Sequence, residues 1–301
     1  MSELLSVFVN VTLPVFGIVA LGYLLGTQLE LQARTLTRVA YYVFVPAFIF
    51  KAISSAQIEL SQTLKMLVFI LAGHLLAVSA AWAVGLLLGR PKTTVAAFVM
   101  IASFGNVGNF GLAMIQFRLG EASVTSSTLY FVAITIFAFV VCVGAAGWAK
   151  GGSLGALWGV LKTPALWAVI PAWLVSQGNI GIPLSISRII DLLANAMIPV
   201  MLFALGLQLL EQKRVILSRD VFLASGIRLL LAPLLTWAVS LPFALGYQET
   251  VTGILQAGMP TAVLVAIIAK EHDIVPNFVM SVVLVSTLAS LVSLTCLMVL
   301  L

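Results

Sequence analysis

Apolar runs of about twenty residues follow one another along the whole chain, separated by short polar segments. The hydrocarbon core of a bilayer offers the backbone no hydrogen-bond partners, so a spanning segment must be a helix or part of a closed barrel. Runs of this length suit helices. Of the 301 residues, 62% are apolar and only 8% are charged, whereas a soluble domain has about 25% charged residues. We therefore predict an all-α integral membrane protein.

Ten segments are long and apolar enough to be predicted as transmembrane spans. They are Leu4–Gly26, Leu36–Ala56, Leu64–Gly89, Val95–Leu119, Val124–Trp148, Trp158–Ser176, Ile186–Leu210, Val221–Gly246, Glu249–Ala269 and Val275–Leu300. The first has no basic flank and no convincing cleavage site, so it is interpreted as a retained helix rather than a signal peptide.

Basic residues of the predicted loops lie mainly on one side of the membrane. That side holds ten of them, and the opposite side holds at most four, Lys51, Lys65, Arg118 and Arg188. The ten are Arg34, Arg38, Arg90, Lys92, Lys150, Lys162, Lys213, Arg214, Arg219 and Lys270. Under the positive-inside rule this side is cytoplasmic, which predicts a multi-pass protein of the cytoplasmic (inner) membrane with both termini outside. The basic residues lack the interleaved aromatic side chains of a nucleic-acid surface, so no nucleic-acid partner is expected.

The two halves of the chain resemble each other at an offset of 155 residues. The segment Leu76-Ala77, followed by Trp82-Ala83-Val84, recurs as Leu231-Ala232 followed by Trp237-Ala238-Val239. Residues 1–148 and 149–301 are therefore predicted to form one five-span repeat each. Because five is odd, the second repeat enters the membrane from the opposite side, as in many secondary transporters.

The fourth and ninth predicted spans are interrupted at matching positions of the two repeats. Glycines and asparagines are concentrated between Ser103 and Gly111, and a proline interrupts the run from Gln256 to Ala262. Proline breaks a helix interior because it removes a backbone donor and clashes with the preceding turn. Paired interruptions of this kind indicate the binding site of a transporter. The predicted substrate-binding residues are Gly105, Asn106, Gly108, Asn109, Gln256, Met259, Pro260 and Thr261.

The direction of the two interrupted spans predicts the chemistry of this site. Their second halves would both begin near the middle of the membrane, with unpaired N–H groups and partial positive charge. Two such helix ends would hold an anion, and a carboxylate fits well. Further donors could come from the side chains of Asn106, Asn109, Gln256 and Thr261. Alternatively, the glycines only permit close helix contacts and the amides bond across helices.

Three motifs resemble those of the auxin efflux carrier (AEC) family. They are Asn106-Val107-Gly108-Asn109-Phe110-Gly111-Leu112, Ile198-Pro199-Val200-Met201-Leu202-Phe203-Ala204-Leu205-Gly206 and Met259-Pro260-Thr261-Ala262-Val263. The resemblance is to the bacterial branch, which includes candidate malonate and malate permeases, and it covers essentially the whole chain. One residue departs from the pattern: many members have proline where this chain has Ala113, so a softer break is expected in the fourth span.

The resemblance implies a fold similar to that of bile-acid sodium symporters. Spans 1, 2, 6 and 7 would form a scaffold, and spans 3–5 and 8–10 a transport domain. The two broken helices would cross at the substrate site. Relatives are often dimers through the scaffold, so a homodimer embedded in membrane lipid is expected.

Two ionisable residues lie inside predicted spans, His74 in the third and Arg228 in the eighth. Such groups are costly in a membrane and are candidates for a functional role. Arg228 could compensate a substrate carboxylate or stabilise the broken ninth helix, or its side chain could extend to the lipid headgroups. His74 could carry a coupled proton, or it could be a neutral histidine bonded to a neighbouring helix.

Taken together, these features predict a secondary transporter for a small organic anion that works by alternating access. The substrate would be a mono- or dicarboxylate similar to malonate or malate, or an auxin-like aromatic acid. An anion channel and a sodium-coupled symporter of the bile-acid type stay as alternatives, with H⁺ or Na⁺ as possible coupling ion. No cofactor or metal is expected. The sequence has neither a His-Glu-x-x-His helix nor a Walker-type glycine loop, so an enzyme is not predicted.

Overall fold

The computed structural model describes residues 2–56, 59–151, 164–178, 180–210 and 215–301. In these ranges the regular structure is helical, apart from one antiparallel bridge between Gly105 and Thr261. In chain order the helices are α1 (Glu3–Gln28), α2 (Ala33–Ser54), α3 (Leu60–Leu87), α4 (Lys92–Ser103), α5 (Leu112–Leu119), α6 (Glu121–Lys150), α7 (Pro164–Gly178), α8 (Leu184–Leu210), α9 (Arg219–Ser240), α10 (Tyr247–Ala257), α11 (Val263–Glu271) and α12 (Pro276–Leu300). For the described residues, the prediction of an all-helical chain is confirmed.

Within the described ranges, seven helices are long and apolar enough to cross a membrane: α1, α2, α3, α6, α8, α9 and α12. Each lies in a different one of the ten predicted spans. The predicted fourth span is divided into α4 and α5, and the predicted ninth span into α10 and α11. Helix α7 is the described part of the predicted sixth span, whose residues 158–163 lie outside the described ranges, as do the loop residues Lys162, Lys213 and Arg214.

Wide π-helical turns precede three prolines inside the long helices. The turns Phe8–Thr12, Ala40–Phe44 and Ile227–Leu231 each end two residues before a proline, namely Pro14, Pro46 and Pro233. A proline ring clashes with the carbonyl four residues earlier in a regular α-helix, and a wider turn relieves that clash.

A fourth π-helical turn, Val107–Gly111, precedes α5 and ends two residues before Ala113. Ala113 is the position at which the family resemblance leads one to expect proline. Ala113 therefore stands at the same distance from its turn as the three prolines do from theirs, although alanine has no ring. The missing proline ring predicts a softer break. The helix is nevertheless fully interrupted between Ser103 and Val107.

Helices α1 and α8 are in extensive contact, and this contact depends on two glycines. A Cβ atom on Gly22 would lie 2.1 Å from the carbonyl oxygen of Phe203, and one on Gly206 would lie 2.0 Å from that of Val19. No side chain fits at either position. Small residues allow backbones to touch in this way in many membrane helix pairs. Helix α2 packs against both α8 and α7, so these four helices form one group.

The remaining helices form a second group around the two divided spans. Helix α3 packs against α4 and α9, α4 packs against α6, and α9 packs against α10 and α12. The two groups touch where the hydroxyl groups of Thr12 in α1 and Thr295 in α12 lie 2.9 Å apart. Many outward side chains are apolar and largely exposed, such as Leu87 and Leu192, as expected of helices that face lipid.

Candidate functional site

The two divided spans meet at their breaks and share backbone hydrogen bonds. The amide of Asn106 donates to the carbonyl oxygen of Pro260 at 2.6 Å, and the amide of Ala262 donates to that of Phe104 at 2.9 Å. These bonds flank the bridge between Gly105 and Thr261. Backbone groups that lose their helical partners at the breaks therefore find partners in each other, as a buried irregular segment requires. We call this region the crossing, comprising residues 104–111 and 256–262.

Three side chains of the crossing are buried and carry a polar atom that is not hydrogen-bonded to any described residue. The atoms are Nδ2 of Asn106, Oε1 of Gln256 and Oγ1 of Thr261. Most buried polar atoms in proteins have a partner, so an unpaired cluster requires an explanation. Binding of a polar ligand or of water would provide one.

Two helix N-termini lie beside two of these residues, Asn106 and Thr261. The turn Val107–Gly111, which continues into α5, begins directly after Asn106, and α11 begins directly after Ala262. The first N–H groups of a helix have no carbonyl partner within it, and they give this end a partial positive charge. The crossing therefore offers two positive helix ends together with the side-chain donors of Asn106 and Thr261.

Arg228 of α9 is fully buried and connects the two breaks through hydrogen bonds to both of them. Its Nε donates to the carbonyl oxygen of Met259 at 2.8 Å, Nη1 to that of Ala102 at 2.8 Å, and Nη2 to that of Gln256 at 3.3 Å. Ala102 is in the last turn of α4, and Gln256 is in the last turn of α10. The guanidinium group therefore caps the C-terminal ends of both helices, and the side chain does not extend to the lipid headgroups.

The glycines of the crossing make room for these contacts. A Cβ atom on Gly105 would lie 2.0 Å from Nη2 of Arg228, and one on Gly111 would lie 2.3 Å from Oε1 of Gln256. A Cβ atom on Gly108 would lie 2.8 Å from the ring of Phe131. These glycines are needed for close approach.

The other predicted site residues are placed differently from Asn106, Gln256 and Thr261. Met259 and Pro260 contribute backbone carbonyl groups to the crossing, as described above. Asn109 is only partly buried and lies in the turn Val107–Gly111. His74 of α3 donates from Nδ1 to the carbonyl oxygen of Ile70 at 2.9 Å, and its ring lies edge-on to Phe137. None of these His74 contacts reaches the crossing.

Two serines were not identified from the sequence. Oγ of Ser286 in α12 accepts a hydrogen bond from the amide of Thr261 at 3.1 Å. The carbonyl oxygen of Ser127 in α6 accepts one from Nε2 of Gln256 at 3.4 Å. Both lie in apolar helices that contain several similar serines, so no sequence signal distinguishes them. They hold the crossing against α6 and α12.

Comparison with known proteins decides the family. A family model described as "Membrane transport protein" matches residues 7–147 and 154–298. The chain belongs to this family, the auxin efflux carriers. Membership in the AEC family agrees with the apolar helices and indicates a multi-pass membrane transporter.

Several relatives of this AEC family member align along most of their length. An uncharacterized transporter of Methanothermobacter thermautotrophicus is 31% identical, with 94% of each chain aligned. A candidate malonate transporter of Rhizobium meliloti is 26% identical over 95% of this chain and 93% of its own. The uncharacterized transporter YfdV of Escherichia coli K12 is 25% identical over 90% of both chains.

Proposed function

We propose that this protein is a secondary transporter that carries a small organic anion across the cytoplasmic membrane by alternating access. The substrate class is a mono- or dicarboxylate, and malonate is the first compound to test because one relative is named as a candidate malonate transporter. An auxin-like aromatic acid belongs to the same class of carboxylates. The proposal rests on one observation, the pair of helix N-termini beside unpaired donors of Asn106 and Thr261.

The charge at the crossing supports an anion rather than a cation as the substrate. The negative C-terminal ends of α4 and α10 are already bonded to Arg228. The unpaired groups of the crossing are the two helix N-termini, Nδ2 of Asn106, the hydroxyl group of Thr261 and the acceptor Oε1 of Gln256, so donors outnumber acceptors. A carboxylate has two oxygens that can accept from both helix ends at once, and such charge-assisted bonds are stronger than neutral ones.

The proposed architecture is ten spans in two inverted repeats, residues 1–148 and 149–301. Helices α1, α2, α7 and α8 would form the scaffold, and the other helices the transport domain. Two observations support this division: these four helices pack mainly on one another, and both breaks lie in the second group. Movement of the second group against the scaffold would expose the crossing to each side in turn. Both termini on the outer side and a homodimer through the scaffold belong to the same proposal.

Uptake by proteoliposomes tests the proposed function. Liposomes that contain the purified protein should accumulate labelled malonate, or another carboxylate of two to five carbons, with a rate that saturates. Matched liposomes without protein serve as the control. If no carboxylate of the panel gives protein-dependent flux while the protein stays folded and monodisperse, the proposal is wrong.

A further inference from the structure

The charge of Arg228 has no carboxylate to balance it in the described ranges. The ion pairs found there join other residues: Lys51 with Asp191, Arg90 with Asp220, Arg118 with Glu3 and Lys150 with Asp273. An isolated charge in a protein interior is strongly unfavourable unless something compensates it. The contacts of Arg228 must therefore supply the compensation.

Two helix C-termini compensate the positive charge of Arg228. Each C-terminus carries roughly −0.5 elementary charge, so the ends of α4 and α10 together match one guanidinium group. The three carbonyl acceptors come from both breaks, and their bonds are 2.8, 2.8 and 3.3 Å long. One side chain therefore neutralises both helix ends and ties one break to the other.

The surroundings are shaped for this group. Gly105 provides the space, since a Cβ atom there would lie 2.0 Å from Nη2. Arg228 itself lies in the π-helical turn Ile227–Leu231, ahead of Pro233. Removal of the side chain would leave a buried, carbonyl-lined space at two negative helix ends. Such a space would suit a small organic cation such as the guanidinium ion.

We propose that Arg228 is the permanent cation of the crossing: a positioning residue that fixes the two breaks and does not touch the substrate. This inference rests on the proposed function, because it assigns the anion to the N-terminal side of the crossing. The separate roles of Arg228 and of the substrate-binding residues follow from their hydrogen bonds. Arg228 bonds to the carbonyl groups at the C-terminal helix ends, whereas the unpaired donors belong to Asn106 and Thr261.

Chemical rescue distinguishes a positioning role from substrate contact. Arg228→Ala should lower the rate of carboxylate uptake by about tenfold or more, since three charge-assisted bonds are lost. Free guanidinium ion at low millimolar concentration should restore much of the rate, and choline should not. The KM for the carboxylate in the rescued variant should stay near the wild-type value. Arg228→Lys, which keeps the charge, should retain part of the rate.

Arg118 offers a matched control. Its guanidinium group also donates to a backbone carbonyl, that of Met298 at 2.9 Å, but it is partly exposed and away from the crossing. Arg118→Ala should transport at nearly the wild-type rate and should not respond to guanidinium. A response equal to that of Arg228→Ala would overturn the proposal.

Thermal unfolding gives a second readout that needs no substrate. Low guanidinium should raise the unfolding midpoint of Arg228→Ala and should not raise that of the wild type. Wild-type activity in Arg228→Ala would contradict the proposal, and so would a variant in which guanidinium restores neither uptake nor stability. If the wild type itself transports no carboxylate, the proposed function fails, while the unfolding experiment still tests the role of Arg228.

Discussion

Gly105→Ala should lower carboxylate uptake by about tenfold or more, although it adds only one methyl group. The new Cβ atom would lie 2.0 Å from Nη2 of Arg228 and 2.8 Å from the central carbon of its guanidinium group. The guanidinium group is fully buried and bonded to three carbonyl oxygens, so its movement away from the new Cβ atom would break some of these bonds. Breaking those bonds leaves buried carbonyls unpaired, at a cost of about 1–3 kcal/mol each.

Gly226→Ala is the control for this prediction. Gly226 lies two residues before Arg228 in α9, has helical backbone angles, and a Cβ atom there meets nothing within 4 Å. Alanine favours helix over glycine, so this variant should be as stable as the wild type or slightly more stable. Uptake rate and unfolding midpoint are measured for both variants. Equal uptake by the two would show that the contact between Gly105 and Arg228 is unimportant.

Gly206→Ala should destabilise the whole protein more than it affects any binding site. The Cβ atom would meet the carbonyl oxygen of Val19 at 2.0 Å and the amide nitrogen of Tyr23 at 2.6 Å. Neither atom can rotate away, because both belong to the backbone of α1, and the two helices must separate. Overpacking typically lowers the free energy of unfolding by about 1–3 kcal/mol. Because the contact here is with a rigid backbone, we expect a loss at or above the upper end of that range.

The measurement is the unfolding midpoint of purified protein, together with the yield of monodisperse material. Gly22→Ala should behave similarly, since its Cβ atom would meet the carbonyl oxygen of Phe203. Gly17→Ala lies in the same helix α1 but faces open space, with nothing within 4 Å. It should leave the midpoint unchanged or raise it slightly. A Gly206→Ala midpoint equal to that of Gly17→Ala would refute the close contact between α1 and α8.

The helical fold and the positions of the two breaks could be predicted from local sequence. Long apolar runs specify spanning helices because lipid leaves the backbone no alternative. Glycine and asparagine around Gly105, and Pro260, weaken a helix through their own chemistry. The absence of a proline ring at Ala113 predicts a softer first break, but a wide turn precedes this position as it precedes the prolines.

The partners at the crossing could not be predicted in the same way. From the sequence alone Arg228 has three candidate roles, because its contacts lie 28, 31 and 126 positions away in the chain. Only the tertiary arrangement brings Ala102 and Gln256 to one guanidinium group. The same holds for Ser286, which differs from other serines of α12 only in what it faces. For His74, a position inside a span makes the residue a functional candidate. Its contacts with Ile70 and Phe137 nevertheless lie away from the crossing.

The central claim is that a carboxylate binds at the crossing through Asn106 and Thr261. Its most direct test is the concentration dependence of uptake for the best carboxylate of the panel, in Asn106→Ala and Thr261→Val. Each variant removes a buried donor that is unpaired without ligand, so each should raise the KM or lower the rate by about tenfold while the unfolding midpoint stays close to that of the wild type.

Two variants control for the loss of an amide and of a hydroxyl group. Asn10→Ala removes an exposed amide in α1, and Thr236→Val removes a hydroxyl group already bonded to the carbonyl oxygen of Ala232 at 2.9 Å. Both should transport nearly as well as the wild type. The account predicts a selective loss in Asn106→Ala and Thr261→Val. Unchanged KM and rate in these two folded variants would contradict it.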